Sequence, residues 1–319
     1  KKKYPDVKIT ILTKPHFGPI FNSIEGVRVF SAEVKTTHKG VMGLWRLYGE
    51  LGEASMTHVA DLHNVLRSKI LGFFFWLKGI PVKKIDKGRE EKRALTRSNN
   101  KRFHPLKTTI ERYADVFSSL GFPLTFDEQH FLPKQPMPKV PLLVDILESE
   151  KHIGIAPFAT YASKMYRLDL MEKVIEKLIS TTNCKVFLFG GGKHEEEQLA
   201  LLESKFDGKV KSVAGKLSFT NELALISNLD VMLAMDSGNG HLAANYGVPV
   251  VTLWGVTHPY AGFAPYDQPA ENALVPDREK FPLIPTSVYG NSYPEAYLGA
   301  INSILPDTVV EKVRNILDT

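Results

Sequence analysis

NLDVMLAMDSGNGHLAANYGVPVVTLWGVTHP, residues 228–259, reads as strand, tight turn, short helix and strand. Residues 231–235 are a continuous apolar run, Asp236-Ser237-Gly238 interrupts it, 240–247 is a helix of small residues, and 248–254 is a second apolar run. Apolar runs without alternation, joined through a helix, are what a parallel sheet covered on both faces requires. Ligands of such sheets sit beyond the carboxyl ends of the strands. That rule makes Asp236, Ser237, Gly238 and His241 the candidate site residues of this stretch. Asp236 and Ser237 can also cap the following helix, whose free N–H groups and positive dipole end favour an anion. A plain turn and cap, with His241 a packed histidine, accounts for the same residues equally well.

Upstream, the same rhythm predicts strand 153–157, helix 168–180, strand 185–189, helix 195–206, strand 210–213 and helix 220–228. Earlier still come strands 7–13, 27–31, 57–62 and 82–85, with helices 42–51, 65–77 and 108–120. Alternation of this kind implies doubly wound parallel sheets. LPKQPMPKVPL, residues 132–142, is proline-dense and aperiodic and reads as a linker. The expectation is two Rossmann-like α/β domains facing a central cleft, 1–138 and 139–319, closing with helices near 294–304 and 308–317. Residues 1–6 look like the last turn of a helix with Pro5 after it, so a strand and most of a helix are expected upstream of Lys1.

A chain of 319 residues fits two domains better than one core, and 43% hydrophobic with 24% charged residues is ordinary for a globular protein. The strongest apolar patch, ILGFFFWL at 70–77, is far short of the ~20 residues of a membrane span. The single cysteine, Cys184, excludes an internal disulfide and fits a reducing, cytoplasmic compartment. The net charge of +5 is unevenly spread. Residues 1–138 hold 24 Lys/Arg against 13 Asp/Glu, +11, and residues 139–319 hold 16 against 22, −6. Much of the excess lies between Lys83 and Arg112. A solvated helical face explains such a run, and so would phosphorylated glycolipid or an anionic membrane surface. Nucleic acid is not expected, because no recognised binding motif accompanies the charge.

Gly190-Gly191-Gly192 follows a predicted strand, yet a G-x-G-x-x-G starting there would need glycine at 195 and finds Glu195. The loop leads into Glu195-Glu196-Glu197, where a carboxylate can accept from both hydroxyls of a ribose or simply favour the first helical turn. After strand 153–157, Thr160, Ser163 and Lys164 set hydroxyls and a lysine beside a helix N-terminus, a phosphate cradle that lacks the P-loop order. No His, Cys or carboxylate cluster has metal-ligand spacing, so no metal is expected.

IGIAPFATYASKMYRL, FLFGGGKHEEEQL, VAGKLSFTNELALISNLD and MLAMDSGNGHLAANYGVPVVTLWGVTHP, in that order and spacing, resemble glycosyltransferase family 9, the ADP-heptose:lipopolysaccharide heptosyltransferases and their relatives. KKKYPDVKITILTKPHF and VADLHNVLRSKIL extend the resemblance more loosely to the first half. It implies a GT-B fold and inverting, metal-independent transfer of a heptose-like sugar from a nucleoside diphosphate, with ADP the nucleotide, to a phosphorylated glycolipid acceptor. The nucleotide sugar is a substrate, and no cofactor is implied. The basic first half would meet the acceptor and touch the inner face of an anionic membrane. Carried over by position, Lys164 and Thr160 hold the diphosphate, with Ser163 and Gly191 lining the donor site. Glu196 holds the ribose, Asp236 meets the transferred sugar, and Ser237, Gly238 and His241 line the phosphate side. Position 240 is glycine where the family usually has a larger residue. The family's general base is an aspartate of a Gly-Asp turn expected upstream of Lys1, with Asp61 as the fallback. A catalytically silent nucleotide-sugar-binding protein and a GT-B sugar-nucleotide epimerase are the alternative readings.

Overall fold

The computed structural model describes residues 1–52, 55–126, 129–144 and 149–318. The chain forms two compact units: residues 1–89 with 107–130, and residues 90–106 with 131–319.

The first unit carries two parallel ladders. Strand β1 (Ile9–Thr13) pairs with β2 (Val27–Ser31), and β3 (Val59–Asp61) pairs with β4 (Val82–Lys84). Helices α1 (Gly40–Gly52) and α2 (Leu66–Leu77) pack on each other and enclose a core of Leu44, Leu47, Leu51, Leu71 and Phe75. Helix α3 (Arg89–Thr96) follows in the chain but belongs, from residue 90 on, to the second unit, and α4 (Thr109–Ser119) returns to the first. The Thr-x-x-Glu spacing at Thr108 starts α4 with a capping box: the Glu111 N–H donates to the Thr108 hydroxyl at 3.2 Å, and the Thr108 N–H donates to the Glu111 carboxylate. Residues 1–8 are turn and extended chain, not the helical turn expected there; the Lys1 ammonium folds back onto the carbonyls of Pro5 and Val7.

The second unit is built on one six-stranded parallel sheet. Its strands are β5 (Lys151–Ala156), β6 (Cys184–Leu188), β7 (Val210–Ser212), β8 (Val231–Met235), β9 (Val250–Leu253) and the two-residue β10 (Ala273–Leu274). Their spatial order is β10-β9-β8-β5-β6-β7. Ile155 of β5 registers with Leu188 on one side and Leu233 on the other.

Strict alternation along these strands feeds two cores. Ile153, Ile155, Val186, Leu188, Val231, Leu233, Val251 and Leu253 join the core that also holds Met171 and Ile175 of α5 (Leu168–Thr181), Leu199 of α6 (Lys193–Glu203) and Val309 and Val313 of α9 (Pro306–Leu317). Phe187, Met232, Ala234 and Val250 point the other way, to Leu225 and Ile226 of α7 (Phe219–Ile226) and to Ala243 and Ala244 of α8 (Gly238–Asn245). With apolar partners on both faces, the strands need no polar face, and so the sequence shows continuous apolar runs. Helix α8 starts at Gly238, two residues earlier than its composition suggests. The helix expected at 294–304 is two 3-10 turns, Glu295–Tyr297 and Ala300–Ser303, separated at Gly299.

The segment read as a linker lies against the second unit. The Leu132 N–H donates to the Asn245 carbonyl at 2.7 Å and the Gln135 N–H to the Ser227 hydroxyl at 2.9 Å, while Met137 and Val140 pack on the α7–α8 core. Prolines hold this stretch extended, and the apolar residues between them give it a face to bury.

Residues 90–106 are an insertion from the first half of the chain into the second unit. Leu95, Leu106 and Ala261 form a small core there with Phe103, Tyr260 and Phe263 packed on it. The Lys101 ammonium donates to the carbonyls of Leu95, Leu283 and Pro285 at 2.9, 2.8 and 2.6 Å. His258 is buried beside Phe103 and Tyr260 and accepts from the Tyr260 N–H through Nδ1. Burial, with the positive charges of Arg278 and Lys101, pushes its pKa down to about 4. The unfolded chain takes up this proton near pH 6.5 and the folded one only near pH 4, so stability is full above 6.5 and declines as pH falls towards 4. The loss is on the order of 3 kcal/mol. Urea melts at pH 7 and pH 4.5 are expected to show it. In His258→Asn, which keeps an acceptor for the Tyr260 N–H, that part of the pH dependence should vanish; an unchanged slope would place its origin elsewhere.

Candidate active site

Strands β5 and β8 are neighbours, but the chain leaves them in opposite directions, from β5 through β6 to β7 and from β8 through β9 to β10. Loops that diverge from adjacent carboxyl ends in this way open a crevice, the topological switch point at which such sheets bind ligands. One loop carries Thr160, Ser163 and Lys164, and the other carries Asp236 and Ser237. The sequence marked both loops separately; the fold joins them. Lys164 Nζ lies 2.8 Å from Asp236 Oδ2, with the two side chains 12% and 10% exposed. At that exposure the ion pair is largely desolvated, so each charge depends on the other.

A third strand end contributes a residue that the sequence reading did not single out. Thr257, four residues past β9 and fully buried, donates its hydroxyl to the same Asp236 Oδ2 at 2.9 Å. Lysine and threonine together hold that one carboxylate oxygen. The signal was present in principle, because Gly255-Val256-Thr257 leaves a carboxyl end adjacent to β8, yet nothing local distinguishes it from an ordinary turn. In Thr257→Val the carboxylate loses a neutral donor to a charged group, and turnover of the donor substrate is expected to fall about tenfold. Unchanged kcat/KM would mean that Lys164 alone orients Asp236.

His241 lies on the first turn of α8, where burial depresses its pKa below the ordinary histidine value, Asp236 pulls it up and Lys164 pushes it down. The net result is a neutral imidazole beside the ion pair at neutral pH. Ser237 occupies the N-cap of α8 in extended conformation, but its hydroxyl does not cap the helix, contrary to expectation; the oxygen is buried and has no partner among the described residues. A buried hydroxyl at a helix N-terminus beside a lysine suits an anionic oxygen.

Ser163 has a different role from its neighbour. It is fully buried, and its hydroxyl donates to the Gly290 carbonyl at 2.5 Å, while its own carbonyl accepts from the Val256 N–H at 3.3 Å. The turn of residues 162–164 is thereby pressed onto two glycines. A Cβ on Gly255 would fall on the Ser163 carbonyl oxygen, and one on Gly290, whose φ is +90°, would come within 2.6 Å of Lys164 Cδ. These contacts aim the lysine at Asp236. Thr160 is exposed at the start of the loop.

Beyond the end of β6, the Gly191 N–H donates to the Glu195 carboxylate at 2.9 Å, so Glu195 braces the glycine loop. Glu196 is half-buried against Gly215, where a Cβ would approach its carboxyl carbon to 2.5 Å; its N–H donates to the Gly192 carbonyl, and its carboxylate has no hydrogen-bond partner among the described residues. Asp61 belongs to the first unit and its carboxylate is fully engaged. One oxygen accepts from the N–H groups of His63 (3.0 Å) and Asn64 (2.7 Å), the other from the Ser68 hydroxyl (2.9 Å). It organises the entry to α2. Among the described residues, no three His, Cys, Asp or Glu side chains converge as a metal site.

The profile of glycosyltransferase family 9 (heptosyltransferase) matches residues 44–285. The chain is 28% identical over 279 residues to the lipopolysaccharide core heptosyltransferase OpsX of Haemophilus influenzae, covering 83% of this chain and 74% of that one. In fold it is similar to the solved structure of a family 9 glycosyl transferase from Veillonella parvula, with TM-score 0.73, 16% identity, and coverage of 98% of this chain and 89% of that one. It is also similar to the heptosyltransferase WaaC of E. coli, solved with ADP, at TM-score 0.67 and 17% identity over 99% of this chain and 92% of that one.

Proposed function

The chain belongs to glycosyltransferase family 9, and from that premise we propose that it moves a heptose from ADP-heptose to a lipopolysaccharide-type glycolipid acceptor with inversion at the anomeric carbon. The observation that carries this reading is the desolvated Lys164–Asp236 pair at the switch point, beside the buried Ser237 hydroxyl that has no partner among the described residues.

An acceptor hydroxyl attacks the anomeric carbon as the bond from that carbon to the diphosphate oxygen breaks. The hydroxyl proton passes to a base, and the nucleoside diphosphate departs with one more negative charge. That charge needs stabilisation where it develops. Lys164 and the N-terminus of α8 are positioned to supply it without a metal ion. When the diphosphate draws Lys164 away, Asp236 keeps its Thr257 bond and is released towards the hydroxyls of the sugar. Glu196 takes the ribose, and Thr160, Gly191 and Gly238 line the donor. Asp61, with both oxygens occupied, is not the base of this reading. The basic first half holds the phosphorylated acceptor, and the enzyme works in the cytoplasm.

Two measurements test this. Calorimetric titration should rank ADP above UDP and GDP, and ADP release from ADP-heptose should require an acceptor lipopolysaccharide core lacking that heptose. Tighter UDP or GDP binding would remove the heptose assignment, and rapid turnover without acceptor would remove the transferase in favour of an epimerase or hydrolase.

A further inference from the structure

The first unit exposes more aromatic surface than a free surface explains. Among its large apolar side chains, Trp45 is 53% exposed, Phe73 52%, Trp76 61%, Leu77 58% and Met42 80%. These are neighbours. Trp45 of α1 meets Phe74 of α2 edge-on at 5.0 Å, Phe74 contacts Phe73 at 6.4 Å, and Phe73 stacks on Trp76 at 5.8 Å. A chain of ring contacts therefore crosses both helices: Trp45, Phe73 and Trp76 are exposed, and the half-buried Phe74 that joins them also packs on the core of Leu44, Leu47, Leu71 and Phe75. Isolated exposed apolar residues need no explanation, but a contiguous band does.

The band is flanked by cations. Lys39, Arg46, Arg67, Lys69 and Lys78 are all exposed, and none is held in an ion pair among the described residues. Lys69 precedes Phe73 and Trp76 by four and seven residues, so the three share one face of α2. Among the described residues, two carboxylates of this region are engaged elsewhere: Glu50 with His38, and Asp61 in its loop. The basic stretch at 83–112 is less available than its composition suggests. Lys92 and Arg112 are buried, Lys92 lying over the Phe263 ring, and Lys101 is bound to three carbonyls.

We infer that the outer face of α1 and α2 docks on an anionic phospholipid bilayer, with Trp45, Phe73, Trp76 and Leu77 entering the interface and Lys39, Arg46, Arg67, Lys69 and Lys78 meeting headgroup phosphates. Tryptophan beside lysine on an amphipathic helical surface is suited to the headgroup boundary of a membrane. The cations select a negatively charged lipid over a neutral one and over a second copy of this chain, which would set the same charges against each other. The inference goes beyond the transfer chemistry and does not depend on it.

The chain reports its own docking. Of its three tryptophans, Trp254 is 1% exposed and the other two are in the band. The 319-residue protein is mixed with vesicles of phosphatidylcholine alone, or of phosphatidylcholine with phosphatidylglycerol, with no donor or glycolipid acceptor present. Flotation and tryptophan emission are followed. Anionic vesicles should float the protein, shift its emission to the blue and allow quenching by brominated acyl chains. Phe73→Ser with Trp76→Ser should lower the partition coefficient by about tenfold or more. Lys69→Gln and Lys78→Gln should each lower it about fivefold, and these exposed substitutions leave the core untouched.

Absence of binding by the folded protein would overturn the inference, as would binding that ignores both sets of variants. So would a concentration-dependent dimer whose emission is already blue-shifted without lipid. A separate set of vesicles carries the glycolipid acceptor, and binding to that set alone would overturn the inference and assign the face to acceptor recognition. Because no transfer is measured, failure of the docking inference leaves the proposed reaction standing.

Discussion

Replacing Lys164 with methionine is expected to lower donor turnover by about 10²–10³-fold and to destabilise the fold by about 3 kcal/mol. Both effects have one cause. Lys164 and Asp236 are 2.8 Å apart and only 12% and 10% exposed, so removing the ammonium leaves a carboxylate with little water and one hydroxyl donor, Thr257. Methionine keeps the stem that packs on Gly290, which confines the change to charge. The second substitution separates the two effects. Lys164→Met with Asp236→Asn leaves no unpaired charge and should regain most of the stability, while turnover stays low because the departing diphosphate has lost its one ammonium partner and keeps only the N-terminus of α8. Chemical denaturation and a coupled assay for diphosphate release check the pair. Full turnover in either variant would refute the leaving-group role of the lysine.

Gly255→Ala is expected to be the most damaging conservative change in the chain. Its new methyl would fall on the carbonyl oxygen of Ser163, and the obstruction is backbone, which has no rotamer to give. Relief requires the 162–164 turn to move as a block, which also breaks the Val256 N–H bond to Ser163 and shifts Lys164 from Asp236. Overpacking of this kind costs about 3 kcal/mol or more, and donor affinity should fall by more than tenfold. At Gly290 the obstruction is chiefly the flexible Lys164 stem, so Gly290→Ala should show mainly the strain of its φ of +90°. Calorimetric titration of ADP on both variants distinguishes them. Normal ADP affinity in folded Gly255→Ala would separate the turn from the donor site.

The second unit was legible because its strands carry their environment in their composition. Residues 231–235 are apolar without alternation, which only a doubly covered sheet tolerates, and Asp236 interrupts that run at a strand end where ligands bind. What the sequence could not show was contact between loops far apart in the chain. Ser163 beside Lys164 suggested a phosphate ligand, but its hydroxyl is taken by Gly290, from a loop of Pro, Gly and Tyr that has no period to read. Thr257 was overlooked for the converse reason: it is ordinary in its own loop and gains its role only because β9 lies next to β8. The basic stretch is less uniform than its composition suggests. Charge counts do not reveal that Lys101 would be drawn to three carbonyls or that Arg112 would be 4% exposed.

The insertion of residues 90–106 has a consequence for how this protein can be rearranged. The second unit is not one uninterrupted stretch of gene. Leu95, Phe103 and Lys101 are encoded before α4, and the partners they serve, Tyr260, Leu283 and Pro285, lie more than 150 codons later. A chimera of two relatives joined at one point, or a shortened polypeptide starting at the proline-rich stretch, would pair one parent's lysine with another parent's carbonyls or with none. Exchange of donor preference between relatives therefore calls for two grafts, and a single-joint hybrid should be recovered poorly folded even when both parents are stable.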